Sequence, residues 1–403
     1  MRAVLAVLMI ALVAKDASHL NDPYVMRGIS QGLCLLVGGW WLINHLSLAV
    51  LGRYWPVLAY LGVLFLSAMG ARSPLYSLLQ TVSLTAVVLF FIACFETERQ
   101  RSPDATRTLV AGSTLLYGAV AAASLVAAWR FPAIAYSASE FEAPRFRGLF
   151  TEPGMMAAAS GLLLGLALFG KLHRGVALAA GGVALACLAL TMSRTFWVAA
   201  AVALVATVWV YHKRGRRWLA TLAIGGAMAA VTANALEVRF DTREVERGIR
   251  IESLANLSGR VGLWEDALDA FRHRSWLGYG YTMGSVGLEN TSLAERRRLG
   301  STLGEREVGR RTLHSGYVQA LLDGGVLGLA LYLMVVIGAA WRFMANDRER
   351  RWPAVFYVLV FCLIANLAED VIYTASVYHS VLFWAAAVFA FSLHGRGREA
   401  VPR

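Results

Sequence analysis

The sequence predicts an all-α fold: a polytopic transmembrane helix bundle of about 12 spans, with a large helical loop on the outer side between spans 9 and 10. Three observations predict it. Apolar residues make up 58% of the 403 residues and charged residues 16%, whereas soluble globular chains run to about 45–50% and about 25%. The charges gather in short clusters separated by apolar runs of roughly membrane-spanning length. Finally, the basic residues sort by side once those runs are laid end to end.

Twelve apolar segments follow in order: 2–14, 29–50, 55–70, 75–95, 108–129, 153–170, 176–192, 195–211, 218–235, 314–341, 353–370 and 375–394. The first is short for a bilayer that needs about 20 helical residues. Arg2 before an apolar run also resembles a signal peptide, but Ala11-Leu12-Val13-Ala14 is not a clean cleavage site, so a retained helix is expected. The chain then divides into 1–235 (nine spans), 236–313 (the loop domain) and 314–403 (three spans and a short tail).

With the N-terminus in the cytoplasm, 18 basic residues fall on the inner side, 13 in the long outer loop and 7 elsewhere. Positive charge near short loops marks the cytoplasmic side, so both termini are expected there. Six acids accompany the inner cations, which leaves the whole net charge of +12 on the cytoplasmic face and the remainder neutral. The basic balance is therefore an anchoring signal and not a nucleic-acid footprint.

All four cysteines (Cys34, Cys94, Cys187, Cys362) lie in apolar segments, where they read as small buried hydrophobes, and no disulfide framework is expected. No metal-ligand spacing, phosphate-binding glycine loop, nucleophile elbow or repeat of fixed period occurs. Neither a metal nor a cofactor is expected.

The chemistry belongs in the two long outward connections, 130–152 and 236–313. Within the second, Val261, Trp264, Ala267, Leu268 and Phe271 recur at helical spacing and predict an amphipathic helix, with Ser258 as its N-cap. Arg260 falls in its first turn, as either a surface ion-pair partner or a cation that meets an anion at the free amides. At the loop's far end His314 enters the membrane, as a polar anchor or as a base acting near neutral pH. Asp323 lies deeper, before Gly324-Gly325; an intramembrane carboxylate is a functional candidate, and a helix-packing hydrogen bond is the alternative. Segments seven and eight are joined by a tight hairpin that puts Arg194 at the rim with no acidic neighbour in sequence. Arg147 and Glu152 flank a polar strip before the helix-starting Pro153. Glu369 and Asp370 end segment eleven and could pair with Arg145 or Arg147.

In this order the features resemble the O-antigen ligase and polymerase family of bacterial envelope glycan enzymes. The matching pieces are Ser193-Arg194 before an apolar helix, Gly259-Arg260 with Trp264, Trp276-Leu277-Gly278-Tyr279-Gly280, His314-Ser315-Gly316-Tyr317, and Gly324-Gly325-Val326-Leu327-Gly328. They cover about 190–330. The family pattern often has asparagine after the histidine, where this chain has Ser315.

The resemblance implies a metal-independent, inverting glycosyltransferase of the bacterial inner membrane, working on the periplasmic face. Its donor would be a glycan on undecaprenyl diphosphate. A ligase passes that glycan to a sugar hydroxyl of lipid A-core; the alternative, a polymerase, passes it to another lipid-linked repeat unit. On this reading Arg194 and Arg260 meet the diphosphate leaving group, and His314 orients the acceptor hydroxyl or takes its proton. Arg147, Glu152, Trp264, Tyr317, Asp323, Glu369 and Asp370 would support them. Ligase is the preferred reading. Protein O-glycosylation is less favoured because no feature speaks for a peptide acceptor. A transporter or lipid flippase would show charges along a path or two related halves, and neither is visible.

Overall fold

The structure, a computed structural model, describes residues 2–16, 23–99, 104–137, 144–212, 260–284, 313–347, 350–372 and 377–393. Among these, helices occupy eleven of the twelve expected segments; the twelfth, 218–235, and the N-cap Ser258 lie outside the described residues. The helices are α1 (Arg2–Asp16), α2 (Pro23–His45), α3 (Leu48–Met69), α4 (Pro74–Arg99), α5 (Asp104–Arg130), the single turn α6 (Pro132–Ala135), α7 (Pro153–Phe169), α8 (Arg174–Leu190) and α9 (Arg194–Tyr211). They continue with α10 (Arg260–His273), α11 (Gly316–Asn346), α12 (Pro353–Ala365) and α13 (Tyr378–Ser392). Five are long and apolar enough to cross a membrane: Leu48–Met69, Pro74–Glu98, Ala105–Arg130, Arg194–Tyr211 and Gly316–Asn346. Four shorter apolar helices, α7, α8, α12 and α13, pack among them.

The innermost helix is α13, on which every residue but His379 is buried. A helix apolar on all faces belongs in the middle of a bundle, and α4, α11 and α12 pack around it. Close approach is set by small residues: a Cβ at Gly165 of α7 would lie 1.9 Å from the Tyr357 ring of α12. Four residues earlier in α7, the Gly161 carbonyl accepts the Tyr357 hydroxyl at 2.9 Å. This is the small-xxx-small spacing that lets two apolar helices touch through their backbones.

Two expected boundaries move. The break placed between 50 and 55 falls at Leu46-Ser47, where the Ser47 hydroxyl caps the Val50 amide and opens α3. Arg53 is consequently inside a helix, where its guanidinium pairs with Glu96 of α4, which also accepts the Tyr54 hydroxyl at 2.8 Å. A charge matched across two helices does not need a loop. Segment eleven, expected to run to 370, ends at Ala365, so Glu369 and Asp370 lie in the turn beyond it.

The helix directions define two ends. At one, α9 meets α11 through Tyr211 Oη donating to Asp347 (2.7 Å), and Arg342 of α11 donates to the Arg53 carbonyl (3.2 Å). The other carries His314, the start of α13 and the tip of α3, where Arg274 donates to the Gly70 carbonyl.

Candidate functional site

The site is built on a broken helix. Gly325 interrupts α11 with φ 65° and ψ −163°, a conformation that glycine adopts without a Cβ penalty. The break frees backbone groups that must find partners inside an apolar bundle. Residues 275–284 supply them: Tyr279 N donates to Leu322 O (2.8 Å), Gly280 N to Asp323 O (3.0 Å), and Val326 N to Ser275 O (2.8 Å). A Cβ at Gly325 would lie 2.3 Å from the Trp276 backbone, and one at Gly278 would lie 2.3 Å from Leu322 O. The two glycine-rich motifs, separate in sequence, are thus one interlocked unit.

Asp323 completes the lock. Its carboxylate, fully buried, accepts from Thr282 N (2.5 Å), Gly284 N (2.5 Å) and Gln319 Nε2 (3.0 Å). Of the two readings open from sequence, the geometry gives Asp323 a packing role: it ties the 275–284 turn to α11.

Helix α10 docks beside this unit. Ala267 and Ala270 are buried against Leu313 and Leu322, with Leu263 and Phe271 partly buried alongside, and Trp264 Nε1 donates to the Leu313 carbonyl at 2.9 Å. The packed face differs from the expected one, because Leu268 is exposed. Positions 263, 267 and 270 follow the 3.6-residue period closely, whereas 268 lies about 100° from 267. Arg260 is the first residue of α10; its side chain lies outside the described residues.

Leu313, held under Trp264, fixes the approach to His314, whose backbone takes φ 48°. That left-handed conformation costs a non-glycine residue about 1–2 kcal/mol, so the surroundings must impose it. Ser315 then caps α11, accepting from Val318 N at 3.4 Å. The position that often holds asparagine in the resembling family is here an N-cap, a role serine and asparagine share. His314 Nδ1 meets Glu369 Oε2 at 3.2 Å, with the histidine about half exposed and the glutamate mostly covered. Glu369 thus meets His314, while Arg147, offered as its partner from sequence, donates its Nε to the Ile134 carbonyl (3.0 Å).

Sequence reasoning missed the residue that holds this pair in register. Asn366, fully buried, accepts from Gly316 N through its backbone carbonyl (3.0 Å), while its side-chain amide donates to Tyr332 Oη (3.0 Å) and accepts from Ile372 N (3.3 Å). Gly316 N also reaches Glu369 O (3.3 Å), so the head of α11 is bolted to the turn that carries Glu369. An asparagine inside an apolar run was the available signal. Tyr317 adds a bond from its hydroxyl to Leu363 O (3.0 Å).

Asp370 is half-buried beside the pair, and burial pushes its carboxyl above the usual aspartate range. Glu369 and Glu152 push it in the same direction and His314 opposes them, so Asp370 lies within electrostatic reach of all three. Glu152 itself is exposed at the N-cap of α7. Arg194 opens α9, half-buried, after a hairpin stapled by Trp197 Nε1 donating to Leu188 O (2.7 Å). Phe196 stacks on Phe361 of α12 with ring centroids 6.1 Å apart. The two helices run antiparallel, so α9 begins at the end of the bundle where α12 finishes toward Glu369. Among the described residues, no group of three or more His, Cys, Asp or Glu could hold a metal ion.

Fold and site define a multi-pass helical membrane protein with an ionisable cluster gathered at one end of its bundle. Residues 179–333 match the O-antigen ligase family, so the family likeness holds across the stretch that contains Arg194, α10, the interlocked turn and His314. A search of curated proteins gives no match. The match supports a membrane glycosyltransferase of the O-antigen ligase and polymerase type, acting on lipid-linked glycans.

Proposed function

We propose that the protein is an O-antigen ligase of the bacterial inner membrane, moving a glycan from undecaprenyl diphosphate to a sugar hydroxyl of lipid A-core on the periplasmic face. The His314–Glu369 pair carries this reading, because it presents a half-exposed imidazole backed by a carboxylate at a bundle end that also begins α9 at Arg194. In the reaction the acceptor hydroxyl attacks the anomeric carbon, its proton passes to the His314 imidazole, and the bond to the diphosphate oxygen breaks with inversion. Glu369 holds the ring and stabilises the imidazolium that forms. The departing diphosphate needs cations and backbone amides more than covalent chemistry, which is the role of Arg194 and Arg260 at the N-terminal ends of α9 and α10. No step calls for a metal ion or nucleotide.

An apolar groove of about 390 Å3 between α7, α8 and α9 reaches the Trp197 staple, one turn from Arg194. It gives a lipid tail a place to lie while the head group is held above. The net positive charge of the opposite end supports a cytoplasmic location for that end.

The purified protein, given undecaprenyl diphosphate glycan and lipid A-core without nucleotide or metal, is expected to form the covalent product. Arg194→Ala and Arg260→Ala should each lower the rate about a hundredfold, as loss of one transition-state donor does. Full transfer by both variants would refute the diphosphate role. Polymerised repeat units in place of core-linked product would favour the polymerase reading.

A further inference from the structure

Among the described residues, three cations from separate segments line one crevice far from His314. At the opposite end, a crevice of about 350 Å3 opens between the start of α5, the α7–α8 turn and the start of α12. Arg107, Lys171 and Arg351 line it, with Phe169, Val110 and Trp352 as apolar walls.

Two acids near the crevice hold its turns in place. Asp347 accepts from Tyr211 Oη (2.7 Å), Arg351 N (2.9 Å) and Trp352 N (3.1 Å), which fixes the turn presenting Arg351 and Trp352. Glu98 caps the Ala105 amide two residues before Arg107. Lys171 sits at φ 55°, in a turn closed on its other side by His173 Nδ1 accepting from Gly175 N (3.3 Å). Three cations from three separate segments are therefore brought to one mouth by rigid turns. Deeper in the bundle a small void shares Val110 with the crevice, and into it faces the Thr106 hydroxyl, buried and without a hydrogen-bond partner among the described residues.

We propose that this crevice binds an anionic glycerophospholipid, the cations holding the phosphate and the apolar walls holding the glycerol end of the acyl chains. A free inorganic anion would use the cations alone, whereas a charged mouth over an apolar interior between membrane helices suits an amphiphile. On the orientation proposed above, the lipid comes from the cytoplasmic leaflet. The site does not depend on which glycan transfer the other end performs.

The test uses the full chain in detergent and lipid nanodiscs, with native mass spectrometry to count retained lipid. Phosphatidylglycerol should be retained over phosphatidylethanolamine and should raise the unfolding temperature. The combined Arg107→Gln, Lys171→Gln, Arg351→Gln variant, altered at exposed side chains, should bind phosphatidylglycerol roughly a hundredfold more weakly. Ala111→Trp, which fills the crevice without changing charge, should also lose the lipid. Equal phosphatidylglycerol retention by the triple variant overturns the proposal. So does stabilisation by millimolar inorganic phosphate alone that matches the effect of the lipid.

Discussion

The two ends of the bundle treat charge differently. At the His314 end, Glu369 pairs with a half-exposed imidazole, and the nearby Asp370 carboxyl is held above its usual range by burial and by Glu369 and Glu152. At the Arg351 end, ionisable groups serve structure: Arg53 is matched to Glu96 across α3 and α4, and Asp347 closes a turn. Three cations of that end line a crevice with apolar walls. Crowded acids fit the chemistry proposed for the first end, whereas Arg53 and Asp347 at the second are matched by neighbours that hold the fold.

The comparison breaks most sharply at His314. His314→Ala is expected to lower glycan transfer about a thousandfold, within the range of general base catalysis, while helix content by circular dichroism is unchanged. A variant that kept full transfer would remove the chemical distinction between the ends. At the other end the effect should fall on stability. Glu96→Gln leaves Arg53 without its counter-charge and should cost about 2–3 kcal/mol in denaturant unfolding, with transfer by the folded fraction preserved.

Glu369→Gln comes next. It retains shape and removes the charge facing His314, so the rate should fall on the order of tenfold with acceptor affinity little altered, read as a drop in kcat at similar KM.

The smallest effect belongs to Asp370. A carboxyl whose pKa is raised on folding contributes stability that is fully present below its unfolded value and is lost as pH rises through the folded value. Asp370→Asn should remove that loss, gaining up to about 1 kcal/mol near pH 7 and nothing near pH 3. Identical pH–stability curves for variant and parent would show that the carboxyl is not strained by its burial.

Much of the helix pattern was legible in the sequence because apolar length and local caps are properties of neighbouring residues. The Ser193-Arg194 hairpin, Pro153 at the start of α7 and the α10 amphipathic stretch all fall where local rules put them. The failures share a cause. Arg53 seemed a loop charge until Glu96, 43 residues away, was brought beside it. Leu268 satisfied an apolar pattern together with Ala267, yet the docked face runs through Ala267 and Ala270 against Leu313 and Leu322 and leaves Leu268 exposed. Glu369 looked like a partner for Arg147, and Asn366 drew no notice within its apolar run.

By itself, then, the sequence determined a multi-pass helical bundle, the gathering of basic residues at one end, and a set of residues resembling the O-antigen ligase pattern. Tertiary structure alone decided which groups meet. It paired His314 with Glu369 across 55 positions, closed Asp323 around the 275–284 turn, and folded two glycine motifs into one lock. Hydrophobic periodicity is a local property that any window of the chain displays. A buried polar group takes whichever partner packing places within about 3 Å, and that choice depends on the whole bundle.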